Sequence, residues 1–289
     1  MEVALMKFLV TGATGQLGSL VIEQLLKTVP ASDVVASVRD PKKAEHLSAQ
    51  GVEVREGDFA RPETLSSAFA GIDKLLMIST SPGNRVAEQQ AAIDAAKAAG
   101  VSFIAYTSAP NAQESTFFLT EDHRQTENAL IASGITYAIL RNNWYLENEM
   151  GTIQAALQGA PWLTSAGTGK VGWAIRRDYA EAAANVLTHE GHNNKVYELS
   201  GPLLTQEELA AILAEVSGKD IPVQQVDDAT YEQVMKEAGV PVDALPFVVG
   251  IQTAIREGSL AVDSQDFQNV LGHPNTPLSE GFRDILKQN

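Results

Sequence analysis

The segment FLVTGATGQLGSLVIEQLL, residues 8–26, constrains the fold of this chain more than any other. An apolar run ends in three glycines spaced three residues apart, Gly12, Gly15 and Gly18, and an amphipathic helical pattern follows at once. Glycine allows a sharp exit from a strand, close approach of a phosphate and close packing of a helix on a sheet. The N-terminus of such a helix attracts anions. Although the spacing differs from the standard G-x-G-x-x-G, the segment predicts a strand–turn–helix unit that binds a dinucleotide pyrophosphate.

The order of strand-like and helical patterns is the second constraint. Up to about residue 140, apolar runs typical of buried strands alternate with amphipathic stretches typical of helices. Strands are predicted over residues 7–11, 33–38, 52–56, 74–79, 102–108 and 136–140, and helices over 16–28, after Pro41, after Pro62, over 85–99 and over 121–133. Continuous apolar strands between helices indicate a parallel sheet covered on both faces. We therefore predict an α/β fold with a Rossmann-like doubly wound parallel sheet.

The pattern changes beyond residue 145. Short strand-like runs now mix with helical patterns, namely 170–175, 195–200 and Gln206–Val216. We predict a Rossmann core over residues 1–145, with return segments near 170–200, and a smaller C-terminal α/β lobe over residues 146–289. Ligands of open α/β sheets bind at the carboxyl ends of the strands, so the lobe is expected to cover that edge.

Charge and composition narrow the classes of partner. The 289 residues carry a net charge of −15, from 21 basic and 36 acidic side chains. Such a surface repels nucleic acid and anionic lipid, so we expect neither nucleic acid nor a membrane as a partner. We also expect no signal peptide, and the first five residues are interpreted as an extension. There is no cysteine, which excludes disulfides and thiolate metal sites and favours a cytoplasmic protein.

The end of the second predicted strand indicates which cofactor binds. NAD enzymes generally carry Asp or Glu there to bond the ribose 2′-hydroxyl. Here Arg39 lies 21 positions after Gly18, with Lys42 and Lys43 close behind. A guanidinium binds a 2′-phosphate bidentately, whereas the neighbouring Asp40 could instead meet a ribose hydroxyl. The three cations predict NADPH as cofactor, with NADH binding more weakly.

Two further strand ends fit the same dinucleotide. Asp58 and Phe59 follow the third strand, where they could cover the adenine. Ser79, Thr80 and Ser81 follow the fourth strand and offer small hydroxyl side chains to the ribose and nicotinamide side. The carboxyl ends of parallel strands lie at one edge of a sheet, so these residues are predicted to line one site.

An expected catalytic motif is absent. Short-chain dehydrogenases that reduce alcohols and ketones use Tyr-x-x-x-Lys, and no tyrosine in this sequence has lysine four positions later. Tyr137 and Arg141 come nearest, but they lie on a predicted strand, where such residues are ~13 Å apart. Hydride delivery to a simple ketone needs a positioned acid. The chain should therefore reduce conjugated electrophiles, or bind the cofactor without turnover.

The histidines form no convincing catalytic or metal-binding group. His189 and His192 have one metal-like spacing but no obvious third ligand, so no metal site is predicted. His123 and Glu127 share a predicted helix face at i, i+4, in the region where a Tyr/Lys helix would lie. A solvated helix start is the favoured interpretation of this pair. The sequence leaves open whether either side chain reaches the pocket.

With these residues identified, the chain resembles the NmrA-like, atypical branch of the short-chain dehydrogenases. It is most similar to bacterial type 2 NAD(P)H:quinone oxidoreductases and the related triphenylmethane reductases. The stretches that carry the resemblance are TGATGQLG (11–18), KTVPASDVVASVRD (27–40), AAKAAGVSFIAYTS (95–108), YAILRNNWYLEN (137–148) and GHNNKVYELSG (191–201). The resemblance covers nearly the whole chain and implies an NADP-binding Rossmann domain with a small C-terminal lobe, requiring neither flavin nor metal.

The resemblance also implies roles for individual residues. Arg39 would bind the 2′-phosphate, and Ser79, Thr80 and Ser81 would lie beside the ribose. The pyrophosphate would be held by Gly12, Ala13, Thr14, Gly15, Gln16 and Leu17. The nicotinamide and acceptor pocket would be lined by Asn142, Asn143, Trp144, Tyr145, Leu146 and Glu147. Within that pocket, the aromatic pair could stack on a flat acceptor while the two amides bond its carbonyl or the carboxamide. Asn143, Trp144 and Tyr145 are the candidates for contact with the reacting groups.

Three functions remain open at this point. The leading hypothesis is an NADPH-dependent reductase that transfers hydride directly to a small-molecule quinone. The alternatives are a triphenylmethane-dye reductase and a redox sensor that binds NADP(H) without turnover. A nucleotide-sugar epimerase would need the missing tyrosine base. The loop over residues 108–118 differs from the family pattern, so the identity of the acceptor is less certain than that of the cofactor. A homodimer is possible, but the sequence does not determine the oligomeric state.

Overall fold

The computed structural model describes residues 6–81 and 83–288, so the interpretation of the first five residues lies outside the described part of the chain. The strands are β1 (Phe8–Thr11), β2 (Val34–Val38), β3 (Glu53–Glu56), β4 (Lys74–Met77), β5 (Phe103–Ser108), β6 (Thr136–Asn142), β7 (Trp144–Tyr145), β8 (Trp162–Thr164), β9 (Lys170–Ala174), β10 (Lys195–Leu199), β11 (Leu203–Thr205) and β12 (Val223–Gln225). The helices are α1 (Gln16–Leu25), α2 (Glu45–Ser48), α3 (Leu65–Phe69), α4 (Arg85–Ala98), α5 (Thr120–Ser133), α6 (Met150–Leu157), α7 (Arg176–Thr188), α8 (Gln206–Ser217), α9 (Asp228–Glu237), α10 (Leu245–Arg256), α11 (Asp266–Leu271) and α12 (Leu278–Gln288).

Seven strands form one parallel sheet in the order β10-β6-β5-β4-β1-β2-β3. The order reverses between β1 and β4, which is the topological switch point of a doubly wound sheet. This arrangement confirms the predicted Rossmann-like α/β fold. It brings the carboxyl ends of β1, β2, β3 and β4 together at one edge, as the sequence pattern required.

Both faces of the sheet are buried at its centre, whereas the edge strands β3 and β10 are partly exposed. Every residue of β1, β2 and β5 is buried, which explains why these strands read as continuous apolar runs. Helices α1, α7 and α11 pack over one face, and α3, α4 and α5 pack over the other. The sheet is therefore a rigid platform whose carboxyl edge positions the loops.

The remaining strands, together with α6, α8, α9, α10 and α12, build a second layer, whereas α2 packs beside β3. Strands β11, β9 and β7 form a three-stranded sheet, and β12 pairs with β8. Trp162 and Trp173 are fully buried in the hydrophobic cluster of this layer. Of the residues near 170–200, α7 and β10 join the core, whereas β9 belongs to the small sheet. The division of the chain at residue 145 stays a prediction.

Candidate functional site

The glycine turn after β1 has the backbone geometry that its sequence predicts. Gly12 has φ of 57°, a left-handed conformation that favours glycine. The N–H of Gly15 donates to the carbonyl oxygen of Gly12 at 2.8 Å, and Gly15 is the N-cap of α1. A Cβ at Gly18 would overlap that same carbonyl and lie 2.9 Å from Ala13 Cα. The turn is therefore tight, and the N-terminus of α1 faces the carboxyl edge of the sheet.

A cleft of about 1050 Å³ runs along this edge, and we call it the nucleotide cleft. The sequence-predicted residues that line it are Gly12, Thr14, Gly15, Arg39, Asp58, Phe59, Ser79, Thr80 and Ser81. Ala13, Leu17 and Gly18 are buried beneath the turn rather than lining the cleft. Gln16 is exposed as the first residue of α1. The structure thus gathers side chains from four successive strand ends, as predicted.

Two cations, Arg39 and Lys43, lie at the end of the nucleotide cleft beyond β2. His46 and Asp40 line the same end. The Asp40 carboxylate accepts a hydrogen bond from the backbone N–H of Lys42 at 3.1 Å, so it caps the following turn. This hydrogen bond gives the Asp40 carboxylate a structural role that does not require a ribose hydroxyl. This end of the cleft therefore combines two basic side chains with a carboxylate that already has a hydrogen bond.

A smaller pocket of about 170 Å³ adjoins the nucleotide cleft, and Ser79 lines both. We call it the acceptor pocket. It is lined by Ser79, Arg85, Thr107, Ser108, Ala109, Pro110, Phe117, Leu119, His123, Asn142, Asn143, Trp144, Tyr145, Asn148 and Leu260. For comparison, a cavity of ~150 Å³ holds one benzene ring. Four of the predicted residues, from Asn142 to Tyr145, are brought together here.

The other two residues of the predicted set lie elsewhere. Leu146 is fully buried in the hydrophobic cluster of the second layer. Both carboxylate oxygens of Glu147 accept from the backbone N–H of Arg176 at 3.0 Å, at the start of α7. The structure therefore gives both residues structural contacts and does not bring them to the acceptor pocket.

The two asparagines each keep one amide oxygen unpaired. Asn142 Nδ2 donates to the Tyr145 hydroxyl at 3.0 Å, and Asn143 Nδ2 donates to Ser200 Oγ at 2.9 Å and to the Leu260 carbonyl at 3.0 Å. Both Oδ1 atoms are buried and have no hydrogen-bond partner, and the same holds for Thr80 Oγ1. Buried polar atoms normally have partners, so these three oxygens are exceptions beside the cleft and the pocket.

A buried polar network that the sequence did not predict forms one wall of the acceptor pocket. Arg85 Nε donates to the carbonyl oxygen of Thr80 at 2.7 Å, and Nη1 donates to His123 Nε2 at 3.0 Å. His123 Nδ1 lies 2.8 Å from the Tyr106 hydroxyl, which accepts from Gln89 Nε2 at 3.3 Å. Arginine is only a donor, so Nε2 must be the acceptor and Nδ1 must carry the proton. Burial, with the Arg85 charge adding to it, lowers the pKa of His123 to about 3.

The favoured interpretation of His123 and Glu127 as a solvated helix start is wrong. Their exposed fractions are 7% and 1%, because α5 packs this face against the sheet. Glu127 accepts two hydrogen bonds from Arg141, at 2.9 and 2.8 Å, and one from Ser108 Oγ at 2.6 Å. Arg141 also donates to Glu198 at 2.8 Å. His123 reaches the acceptor pocket, whereas Glu127 lies behind Ser108.

A metal site finds no support from the side chains. Within residues 6–81 and 83–288, no group of three or more His, Asp or Glu residues is placed to hold a metal ion. His192 Nδ1 instead lies 2.8 Å from the Tyr197 hydroxyl. In the same described part of the chain, no helix combines the length and apolarity that crossing a bilayer requires.

A parallel sheet in this strand order, with a glycine turn beside a cleft at its switch point, defines a Rossmann-type dinucleotide-binding protein. A family model described as NAD(P)H-binding matches residues 12–190. The chain belongs to this NAD(P)H-binding, NmrA-like family. Quinone oxidoreductase 2 of Escherichia coli strain K12 is 44% identical over 282 residues, covering 97% of this chain and 99% of that protein.

Solved structures agree with the family. The NADPH-dependent quinone oxidoreductase of Escherichia coli, crystallised with NADPH, has a TM-score of 0.92 at 44% identity, covering 96% of this chain and 99% of that chain. The Citrobacter sp. triphenylmethane reductase has a TM-score of 0.94 at 42% identity, covering 98% and 100%. Both neighbours span the core and the second layer, so the likeness is not confined to the dinucleotide-binding sheet.

Proposed function

We propose that this protein is an NADPH-dependent reductase that transfers a hydride directly to a quinone or a similar conjugated acceptor. The observation that carries the proposal is that the nucleotide cleft and a pocket the size of one ring lie next to each other, with Ser79 lining both. Relatives named as a quinone oxidoreductase and a triphenylmethane reductase, similar over nearly the whole chain, support the same reaction type.

The residues of the nucleotide cleft fit NADPH. The glycine turn and the N-terminus of α1 suit the pyrophosphate, because a Cβ would obstruct the backbone there. Arg39 and Lys43 suit the 2′-phosphate, which favours NADPH over NADH. Thr80 lines the nucleotide cleft and Asn142 lines the acceptor pocket, and after a side-chain shift their buried, unpaired Oγ1 and Oδ1 atoms would bond the nicotinamide ribose and carboxamide. Asp58 and Phe59 would cover the adenine, as the sequence predicted.

Among the described residues that line the acceptor pocket, the titratable side chains are Arg85, His123 and Tyr145. Bound NADPH supplies a hydride, which is two electrons and one proton. Among the groups around the pocket, burial lowers the pKa of His123 to about 3 and raises the pKa of Tyr106 and of Tyr145. None of the three is a ready proton donor near pH 7. A conjugated acceptor suits such a pocket because water can protonate its delocalised product later, whereas a simple ketone needs a positioned acid.

The acceptor side is shaped by aromatic and amide groups. Trp144 Nε1 donates to Glu149 Oε1 at 3.0 Å, which fixes the indole beside the pocket. An indole face held in this way stacks on a flat ring. Asn142 and Asn143 line the same pocket. Independence from flavin and metal, a cytoplasmic location and a homodimer stay predictions.

The proposal is tested with purified protein to which no flavin is added. NADPH oxidation is followed with a benzoquinone, a naphthoquinone and a cationic triarylmethane dye. We expect quinone-dependent oxidation well above the uncatalysed rate. Trp144→Ala should raise the quinone KM while the Kd for NADPH stays within a few-fold, and Trp144→Phe, which keeps an aromatic face, should largely restore the KM. Tight NADPH binding without turnover of any acceptor would favour the sensor instead and contradict the proposal.

A further inference from the structure

Arg85 is a buried cation on the wall of the acceptor pocket, and nothing in the proposed hydride transfer has used it so far. It is the first residue of α4 and only 6% exposed. A cation at a helix N-terminus opposes the helix dipole, and burying it removes hydration. Both effects lower the stability of the folded protein, so arginine is an unfavourable residue at this position. Residues that are locally unfavourable for folding concentrate at functional sites.

No carboxylate in the described part of the chain, residues 6–81 and 83–288, forms an ion pair with Arg85. Its hydrogen bonds are to a neutral carbonyl, that of Thr80, and to a neutral imidazole, that of His123. Asp122 contributes only a longer-range attraction, and burial lowers the pKa of Arg85. A guanidinium nevertheless stays charged at physiological pH. The acceptor pocket thus contains a positive charge that the surrounding protein does not neutralise.

The two hydrogen bonds hold the guanidinium in a fixed orientation. Nε and Nη1 each donate a hydrogen bond. Nη2 has no hydrogen-bond partner among the described residues, and it is not one of the fully buried atoms that lack a partner. The guanidinium therefore has N–H groups left for a ligand in the pocket it lines. His123, held in turn by Tyr106, is a positioning residue for Arg85.

We propose that Arg85 is a catalytic residue that binds the negative charge which the acceptor gains on reduction, and that it selects acceptors that become anions over acceptors that begin as cations. This inference rests on the proposed function. Quinone plus NADPH gives the hydroquinone monoanion plus NADP⁺, and one proton from water then completes the hydroquinone. A charge-assisted hydrogen bond to the anionic oxygen strengthens as the charge develops. A triarylmethane cation that takes up the same hydride becomes neutral, so Arg85 repels that substrate and gains nothing from its product.

The position of Arg85 favours the acceptor over a phosphate of the cofactor. Arg85 lines the acceptor pocket with Asn142 and Tyr145 and does not line the nucleotide cleft. The cleft has its own groups for anions, the glycine turn and Arg39. The charge of Arg85 is therefore placed where the reducible ring would lie.

The test measures binding rather than turnover. The wild type is saturated with NADP⁺, which cannot reduce anything, and titrated with 2-hydroxy-1,4-naphthoquinone, an enolate at neutral pH, and with its uncharged 2-methoxy ether. We expect the wild type to prefer the enolate. Arg85→Gln should weaken the enolate by about 10- to 100-fold and leave the ether nearly unchanged. Arg177→Gln is the matched control, because it removes the same charge from an exposed site that lines neither cavity.

Other outcomes are equally decisive. Equal affinity of the wild type for enolate and ether would overturn the inference, as would an Arg85→Gln variant that loses NADP⁺ affinity while keeping the enolate preference. If Arg85→Gln does not fold, Arg85→Lys replaces it. This variant keeps the positive charge, so loss of the enolate preference in the folded variant would contradict the proposal that the charge binds the enolate. In turnover, Arg85→Gln should raise the ratio of dye to quinone reduction. An enolate preference without any quinone turnover would support the anion site and contradict the proposed function instead.

Discussion

The nucleotide cleft and the acceptor pocket lie side by side at one edge of the same sheet but are built differently. The cleft is formed by backbone at the glycine turn and by exposed side chains such as Arg39. The pocket is walled by buried polar groups that are already hydrogen-bonded in the structure: Arg85 bonds His123, and Ser108 bonds Glu127 behind it. The first site is encoded in short segments, and the second depends on contacts between distant parts of the chain.

This difference determines whether a substitution changes ligand affinity alone or the free energy of unfolding as well. An exposed cation in the cleft contributes to ligand binding and little to folding, because water screens its interactions. A buried ion pair beside the pocket, such as Arg141 with Glu127, contributes to folding, because removal of one partner leaves an uncompensated charge away from water. Substitutions in the cleft should therefore change affinity, whereas substitutions around the pocket should change stability as well.

The largest effect is expected at Arg141, which supports the pocket from behind Ser108. Arg141→Met would leave Glu127, 1% exposed, without its bidentate partner. We expect the free energy of unfolding to fall by about 3–5 kcal/mol in denaturant titrations. The matched control is Arg256→Met, which breaks an exposed pair with Asp228 and should cost about 1 kcal/mol or less. Similar losses in the two variants would show that the pocket side is no more dependent on its charges than the surface.

The next effect concerns ligand affinity in the cleft. Arg39→Ala should weaken NADPH binding by about 1.5–3 kcal/mol, because a charge-assisted bond to the 2′-phosphate is lost, and should leave NADH nearly unchanged. Titration of the two cofactors by fluorescence measures this. Lys42→Ala is the control, since Lys42 does not line the cleft and its backbone N–H, which bonds Asp40, is kept. Equal losses for NADPH and NADH would mean that Arg39 does not select the cofactor.

A smaller effect tests the backbone part of the cleft. Gly18→Ala places a Cβ against the Gly12 carbonyl and Ala13 Cα, neither of which can move freely. Overpacking of this kind lowers the free energy of unfolding by about 1–3 kcal/mol. We expect a lower thermal midpoint of unfolding and weaker binding of both cofactors. Gly151→Ala is the control, because that exposed helical glycine has nothing within 4 Å of an added Cβ. It should be neutral or stabilise by up to about 1 kcal/mol.

The contrast also explains what the sequence could predict. Strand and helix positions in the core follow from local periodicity, and the predicted strands and the observed ones agree closely, although α1 ends at Leu25 rather than residue 28. The glycine turn and Arg39 were predictable because one short segment specifies each. The polar wall of the pocket was not, since it joins residues 80, 85, 106 and 123 through tertiary contacts that no local pattern encodes.

One local signal at the pocket went unused. An arginine in the first turn of a helix conflicts with the helix dipole, and Arg85 shows that conflict in the sequence itself. Conversely, Leu146 and Glu147 were included because they follow Trp144 and Tyr145 directly. The turn into the next helix directs them away from the pocket, toward the hydrophobic cluster and α7. Adjacency in sequence was therefore a poor guide at this point of the fold.

The last prediction uses pH to separate the pocket from the rest of the molecule. The pKa of His123 is lowered from 6.5 to about 3 in the folded protein, first by burial and then by Arg85. Between these two values the unfolded chain binds a proton that the folded protein does not, so stability must fall as the pH falls. From about pH 7.5 to about pH 5.5, His123 should remove roughly 1.4 kcal/mol of stability. Asp228, whose pKa is lowered from 3.8 to about 2, loses its contribution only below this range.

Denaturant titrations of the wild type and His123→Asn at the two pH values measure the effect. The variant will be less stable at both, because it loses bonds to Arg85 and Tyr106. The other titrating groups are common to both proteins, so the difference between their pH dependences isolates His123. We expect the gap between wild type and variant to narrow by roughly 1.4 kcal/mol at the lower pH. A gap that stays constant would mean that His123 titrates like a solvated histidine, and the acceptor pocket would then be as open to water as the nucleotide cleft.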